Sequence, residues 1–150
     1  MIDALRNLFR PENAARSEMP LEVAVAALLV EAARADNVYD ADERAAVLRI
    51  LQEMFDLSPA AAETLHDQGD QTQDTAPDVV RFTRVIKMAL TEEERVAFME
   101  ALWYVVLIDH ERDPHENALL RRLAPLVAVS DHDSAAARRR AIARVEGGLA

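Results

Sequence analysis

Two apolar segments constrain the fold of this chain more than any other feature of its sequence. Residues 23–30 and 101–108 contain no charged side chain. Both are far shorter than the roughly 20 residues that cross a bilayer. Periodicity alone would allow a buried strand at residues 102–108. The capping box at Thr91–Glu94 and the Glu, Arg and Ala content that follows it favour a helix. A helix that is apolar on every side must be covered by other helices, so the sequence predicts two buried helices.

The other sequence signals along the chain are also those of helices. Capping residues, prolines and apolar spacing predict helices at about 2–10, 20–35, 41–56, 58–66, 78–89, 91–108, 113–129 and 130–147. Residues 67–77 are rich in Asp, Gln and Thr, and they are predicted to form a loop or linker. We therefore predict an all-α, single-domain bundle of about seven to eight helices. Residues 1–19 would form an amphipathic helix and linker, and residues 20–150 the helical domain. The residues predicted to be most buried are Leu28, Leu29, Leu51, Leu102, Trp103, Val106 and Leu123.

Composition excludes several classes of function. The chain has 150 residues and a formal net charge of −10, which repels nucleic acid and attracts cations and basic partners. It contains no cysteine, so disulfides and thiolate chemistry are excluded. The first ten residues lack the apolar core and cleavage site of a signal peptide. No phosphate-binding loop, nucleophile elbow or zinc-protease motif is present, so we expect no enzymatic activity.

The two predicted buried helices begin units that are related in sequence. Each unit consists of an apolar helix, an acidic turn of the form Asp-x-x-x-Asp-x-x-Glu and an amphipathic helix, and the units cover about residues 22–56 and 95–129. This pattern indicates an internal duplication with two copies. A shift of 73 residues places Asp36 on Asp109, Asp40 on Asp113 and Glu43 on Glu116.

Part of each acidic turn has a structural explanation. Asp40 and Asp113 directly precede helical segments, and Glu43 and Glu116 follow them at the spacing of a capping box. In this interpretation the aspartate side chain accepts a hydrogen bond from the third backbone amide of the helix. The glutamate side chain reaches back to the first amide. The four carboxylates would then cap helices, whether or not they also bind an ion.

The first aspartate of each turn has no such explanation. Asp36 and Asp109 are predicted at the ends of helices, where the helix dipole disfavours a carboxylate by about 0.3–1 kcal/mol. A nearby cation would compensate, either a metal ion or the side chain of Arg34 or Arg112. Oxygen-rich sites of this kind suit a hard cation such as Ca²⁺ or Mg²⁺. Because the turn is shorter than an EF-hand loop, binding would be weak and the ion partly hydrated or shared between the turns. The predicted ligands are Asp36, Asp40, Glu43, Asp109, Asp113 and Glu116, and no other cofactor is predicted.

Other polar features allow two interpretations each. His110 and His115 would add Zn²⁺ or Ni²⁺ affinity to the second turn, or would simply be solvated. His66 and His132 are predicted on the surface. The apolar face of the N-terminal helix would pack on the domain, or would rest on a membrane or a partner. The arginines at 138–140 and 144 would contact acidic residues of the same chain, or an acidic partner or lipid.

The first acidic turn, residues 32–44, resembles a turn of the TerB-like family of bacterial tellurite-resistance proteins. That turn has the form A-x-A-D-G-x-[apolar]-x-x-x-E, although Asn37 and His110 stand here where the family has glycine. The resemblance implies an all-helical, cytoplasmic protein associated with tellurite and other stress, with divalent-cation binding at the acidic turns. The wider family supplies domains to membrane-tethered co-chaperones, so a protein partner, including a membrane-associated one, is implied. The alternative is a non-catalytic interaction scaffold whose acidic turns only cap helices.

Overall fold

The described part of the chain is helical and contains no strand. The structure is a computed structural model that describes residues 19–35, 39–75, 79–108 and 114–148, with the backbone alone for residues 114–117 and 148. The all-α, single-domain prediction is confirmed, whereas the helix predicted at residues 2–10 lies outside the described residues. The described helices are α1 (Leu21–Ala33), α2 (Ala41–Phe55), α3 (Pro59–Thr75), α4 (Val79–Ala89), α5 (Glu92–Ile108), α6 (Pro114–Leu126) and α7 (Asp131–Gly148).

Helices α1 and α5 form the centre of the bundle, as their apolar sequences predict. Ten of the 13 residues of α1 are buried, and α1 contacts α2, α3, α4, α5 and α6. Helix α5 contacts α1, α2, α6 and α7. All seven residues that were predicted to be most buried lie in the core: Leu28, Leu29, Leu51, Leu102, Trp103, Val106 and Leu123. In the described part of the chain, no helix combines the length and the apolarity that crossing a bilayer requires.

The duplication extends over three helices, one more than the sequence pattern predicts. Helix α1 packs most extensively on α3, and α5 packs most extensively on α7. The residues Asp56 and Ala128, which follow α2 and α6, both adopt the left-handed conformation, with φ of 53° and 58°. Two positions later, Ser58 and Ser130 accept hydrogen bonds from backbone amides of the next helix at 3.2 and 3.1 Å. The repeated unit is therefore α1–α2–α3 and α5–α6–α7, and α4 connects the two copies.

Helix α3 continues through the segment that was predicted to be a loop. The prediction that the helix ends near His66 and that residues 67–77 form a linker is wrong, because α3 extends to Thr75. Gly69 does not break the helix but is buried against α1, where a Cβ atom would lie 2.5 Å from the Cβ of Ala26. The polar residues around it occupy the outer face. The hydroxyls of Thr72 and Thr75 donate to backbone carbonyls four residues earlier, at 2.7 and 2.8 Å.

Three of the four arginines at 138–140 and 144 contact side chains of the same chain, and two of them pair with acidic residues, as the first of the two interpretations predicts. The indole Nε1 of Trp103 donates to the Ser134 hydroxyl at 3.1 Å, which joins α5 to α7 inside the core. Arg138 lies over the ring of the same Trp103. Arg140 pairs with Glu100 of α5, and Arg144 pairs with Glu53 of α2 at 2.7 Å.

We expect the Gly69→Ala substitution to lower the free energy of unfolding by about 1–2 kcal/mol. The added Cβ would overlap Ala26. The destabilisation from this overpacking exceeds the stabilisation that the higher helix propensity of alanine provides. Gly147→Ala is the matched control, because no atom lies within 4 Å of its built Cβ. That change should stabilise by up to about 1 kcal/mol. Urea unfolding measures both, and equal effects at the two positions would contradict the close approach of α3 to α1.

Candidate functional site

Asp40 begins α2 in the capping geometry that its spacing to Glu43 predicts. The backbone amide of Glu43 donates to Oδ1 of Asp40 at 2.8 Å, and the amide of Asp40 donates to Oε1 of Glu43 at 3.4 Å. Glu43 has no exposed surface, so its carboxylate lies inside the bundle beside the turn. The capping interpretation is confirmed for this pair.

The cap uses only one oxygen of the Asp40 carboxylate. Within the described residues, Oδ2 of Asp40 takes part in no hydrogen bond, and the side chain is half-buried. A carboxylate has lone pairs on both oxygens, so a capping aspartate can still ligate a cation. Asp40 therefore fits the predicted role of a ligand without losing its cap.

The structure places only two of the six predicted ligands. Asp36, Asp109 and Asp113 lie outside the described residues, as do His110 and the side chains of His115 and Glu116. Among the side chains that the structure does describe, no group of three His, Asp or Glu residues is arranged to hold a metal ion. The two acidic turns thus remain predicted sites, and Asp40 and Glu43 are the part with known geometry.

A buried histidine joins this turn to α3, and the sequence analysis missed it. His66 is 3% exposed, so its predicted surface position is wrong, whereas His132 is exposed as predicted. The Tyr39 hydroxyl and Nε2 of His66 are 2.7 Å apart, and Nδ1 of His66 lies 3.0 Å from Oδ1 of Asp67. The rings of Tyr39 and His66 stack with centroids 5.8 Å apart. The residue directly before the cap of α2 is therefore bonded to the middle of α3.

Arg34 lies at the other end of the same turn and also contacts α3. It follows the last residue of α1, pairs with Asp70 of α3 at 2.6 Å and lies over the Tyr39 ring at 5.4 Å. The described carboxylate partner of Arg34 is therefore on α3, whereas the predicted contact of Arg34 with Asp36 lies outside the described residues. Together these side chains form what we call the turn anchor: Arg34, Tyr39, His66, Asp67 and Asp70.

The surroundings of Tyr39 favour its protonated form. Burial is the largest cause that raises the pKa of the Tyr39 hydroxyl above its ordinary value. The carboxylates of Asp70 and Glu43 raise it further, while the guanidinium groups of Arg44 and Arg34 lower it. The hydroxyl therefore stays protonated at physiological pH and can share its proton with His66.

One pattern in the sequence would have indicated that His66 is buried. The buried residues of α3 are Ala62, Leu65, His66 and Gly69, at the spacing of a single helix face. If the helix is predicted to end at His66, this buried face is incomplete, and the sequence gives the histidine no neighbours on the same face. Extending the period through Gly69 would have placed His66 in the core.

A comparison with family models finds one match to the chain. The model described as "Tellurite resistance protein TerB" matches residues 22–139, which include both acidic turns and α4. The chain belongs to the TerB family. No match is found among curated proteins or among solved structures. The family match confirms the resemblance that the first acidic turn carries, and it places the turn anchor inside the TerB domain.

We expect the stability of this TerB protein to fall at alkaline pH because of Tyr39. The raised pKa in the folded state means that the unfolded chain releases this proton first. The contribution of the protonated Tyr39 hydroxyl to folding stability is therefore complete below the ordinary tyrosine pKa of about 10. It is lost progressively as the pH rises above that value. Between about pH 10 and about pH 11 the loss is at most about 1 kcal/mol, because the hydroxyl is only partly buried and solvent screens its charge.

Urea unfolding at about pH 8 and about pH 11 measures this loss. Tyr39→Phe should remove most of it, although this variant is less stable at neutral pH because His66 loses a buried partner. Tyr104→Phe keeps Tyr39 and is the control that should retain the alkaline loss. Parallel pH profiles for the wild type and Tyr39→Phe would show that Tyr39 is not the group responsible.

Proposed function

We propose that this protein is a non-catalytic accessory protein of bacterial tellurite and stress resistance that binds a divalent cation, Ca²⁺ or Mg²⁺, at its acidic turns. The observation that supports the proposal best is made at the two ends of the first turn: Arg34 and Tyr39 are bonded to α3, and Oδ2 of Asp40 forms no hydrogen bond within the described residues. Membership of the TerB family supports the link to tellurite resistance. We place the protein in the cytoplasm, with a protein partner that is itself soluble or membrane-associated.

The proposed ligands of the first turn are Asp36, Asp40 and Glu43, with water completing the coordination. Asp40 contributes the Oδ2 oxygen that the cap leaves free. Because the turn anchor holds Tyr39 on His66 and Arg34 on Asp70, both ends of the turn are fixed before an ion arrives. A fixed turn lowers the entropy cost of gathering carboxylates around a cation. Asp109, Asp113 and Glu116 are the proposed ligands of the second turn.

The second candidate function is an interaction scaffold whose acidic turns only cap helices. The complete capping box of Asp40 and Glu43 favours it, because that geometry needs no ion. The absence of a three-ligand group within the described residues is compatible with it as well. The two candidates differ in one respect: a scaffold does not respond to divalent cations.

Thermal unfolding in a chelator and with added Ca²⁺, Mg²⁺, Mn²⁺ or Zn²⁺ distinguishes the two candidates. A bound ion stabilises the folded state by RT ln(1 + [L]/Kd), so the midpoint should rise steadily with ion concentration in the millimolar range. Preference for Ca²⁺ or Mg²⁺ supports oxygen ligation, whereas preference for Zn²⁺ would assign the site to His110 and His115. No shift with any of the four ions would leave the scaffold as the function.

Asp36→Asn should change the stability in opposite directions with and without the ion. In a chelator we expect stabilisation by about 0.3–1 kcal/mol, because a carboxylate is removed from the negative end of a helix. At saturating ion we expect destabilisation, because a charged ligand is lost. We expect a smaller reversal for Asp109→Asn, since His110 replaces the small turn residue. The same effect in both conditions would rule out ion binding by Asp36.

Asp40→Ser should separate the cap from the ligand at a single position. Serine caps a helix nearly as well as aspartate, so the stability in chelator should fall by no more than about 0.5 kcal/mol. The response to the ion should weaken, because serine offers no negative charge. Asp42→Asn is the matched control: it removes one charge from the exposed side of the same helical turn and should leave the ion response unchanged. An undiminished response in Asp40→Ser would exclude Asp40 as a ligand.

A further inference from the structure

The outer face of α4 is unlike the rest of the surface. Met88 is 78% exposed and Val80 is 55% exposed, and they are the exposed large hydrophobic residues of the described chain. Arg84 and Lys87 are exposed on the same helical face, and neither forms an ion pair within the described residues. We call these four residues, Val80, Arg84, Lys87 and Met88, the α4 ridge.

The charge of α4 contrasts with that of the chain around it. Residues 79–91 contain three basic side chains and no acidic one, in a chain with a net charge of −10. Single exposed hydrophobic residues are ordinary and need no partner. Here a thioether and a valine lie on one face with two unpaired cations, which is the composition of a contact surface for an acidic, partly apolar groove.

A groove of that composition lies between α5 and α7. It has a volume of about 430 Å³ and is lined by Val96 and Ala97 between the acidic side chains Glu92, Glu93, Glu100 and Asp133. Arg140 also lines the groove and is paired there with Glu100. The other three carboxylates form no ion pair within the described residues. The helix dipole explains why acids occur in first turns, but it leaves these carboxylates free to pair with cations from outside.

We propose that the α4 ridge of one molecule docks into this acidic groove of a second copy of the chain. Arg84 and Lys87 would meet the unpaired carboxylates, and Met88 would cover Val96 and Ala97. Methionine suits such a contact because its flexible, polarisable side chain fills irregular apolar surfaces. The complementarity is twofold, in charge and in polarity. It involves neither acidic turn, so it is independent of the proposed cation binding.

The connectivity favours a two-fold dimer over a chain of molecules. Met88 and Glu92 are four residues apart, so their Cα atoms are separated by no more than about 14 Å. The end of the ridge and the start of the groove therefore lie close together in the fold. A two-fold axis near residues 88–92 would place each ridge in the partner's groove and form the contact twice, as closed dimers do.

Sedimentation equilibrium from about 1 µM to about 1 mM tests the association, at low and high salt. We expect a reversible dimer that weakens as salt rises, since exposed ion pairs are screened. Lys87→Glu and Glu93→Lys should each raise the dimer Kd at least about tenfold, because each places like charges opposite one another. The double variant Lys87→Glu/Glu93→Lys should recover most of the wild-type affinity.

Two controls separate this contact from a general effect of charge. Arg139→Glu makes the same charge change at an exposed position of α7 that neither lines the groove nor belongs to the ridge, and it should change the dimer Kd far less than Lys87→Glu. Glu93→Lys lowers the net negative charge, so weaker association cannot come from greater repulsion between molecules. A monomer at every concentration, equal effects of Arg139→Glu and Lys87→Glu, or failure of the double variant to recover would each overturn the proposal.

Cross-linking gives a direct readout, because Lys87 is the single lysine of the chain. A carbodiimide joins an amine to a carboxylate without a spacer. In an equal mixture of ¹⁴N- and ¹⁵N-labelled protein, we expect mixed-isotope peptides that join Lys87 to Glu92, Glu93 or Asp133. Mixed-isotope products that join Lys87 only to carboxylates outside the groove would overturn the assignment of the surface.

Discussion

The close approach of α3 to α1 is the contact on which the rest of the first unit depends. Gly69 allows it, because any side chain there would overlap the backbone and Cβ of Ala26. With α3 held this near to α1, the residues on either side of Gly69 in α3 come within hydrogen-bonding distance of residues that flank the turn after α1. Asp70 reaches Arg34 and His66 reaches Tyr39. The polar anchor of the acidic turn is thus a consequence of tight apolar packing one helical turn away.

The sequence predicted the elements that obey simple periodicity and missed the one that depends on a tertiary contact. The buried helices, the capping boxes at Asp40 and Thr91 and the central position of Trp103 follow from local pattern, and all are confirmed. The second half of α3 could not be predicted in this way. Its glycine, aspartates and threonines have low helix propensity, and it is helical because one face packs against α1.

The same limit applies to the candidate site. The cap formed by Asp40 and Glu43 was predictable, because both partners lie within one helical turn. The bond between Tyr39 and His66 joins residues 27 positions apart, and only the fold brings them together. A sequence pattern identifies residues that share a turn, whereas the residues that fix the turn come from a different helix.

The two units share their packing but not their polar contacts. Ala62, Leu65 and Gly69 of α3 correspond, 72 residues later, to Ser134, Ala137 and Ala141 of α7, and all six are buried. The residue that corresponds to His66 is Arg138, which lies over Trp103 instead of bonding to a turn. The position that corresponds to Tyr39 is Arg112. The second unit therefore lacks the tyrosine and histidine of the anchor. If preorganisation determines affinity, the two acidic turns are not equivalent, and the first is the stronger of the two proposed sites.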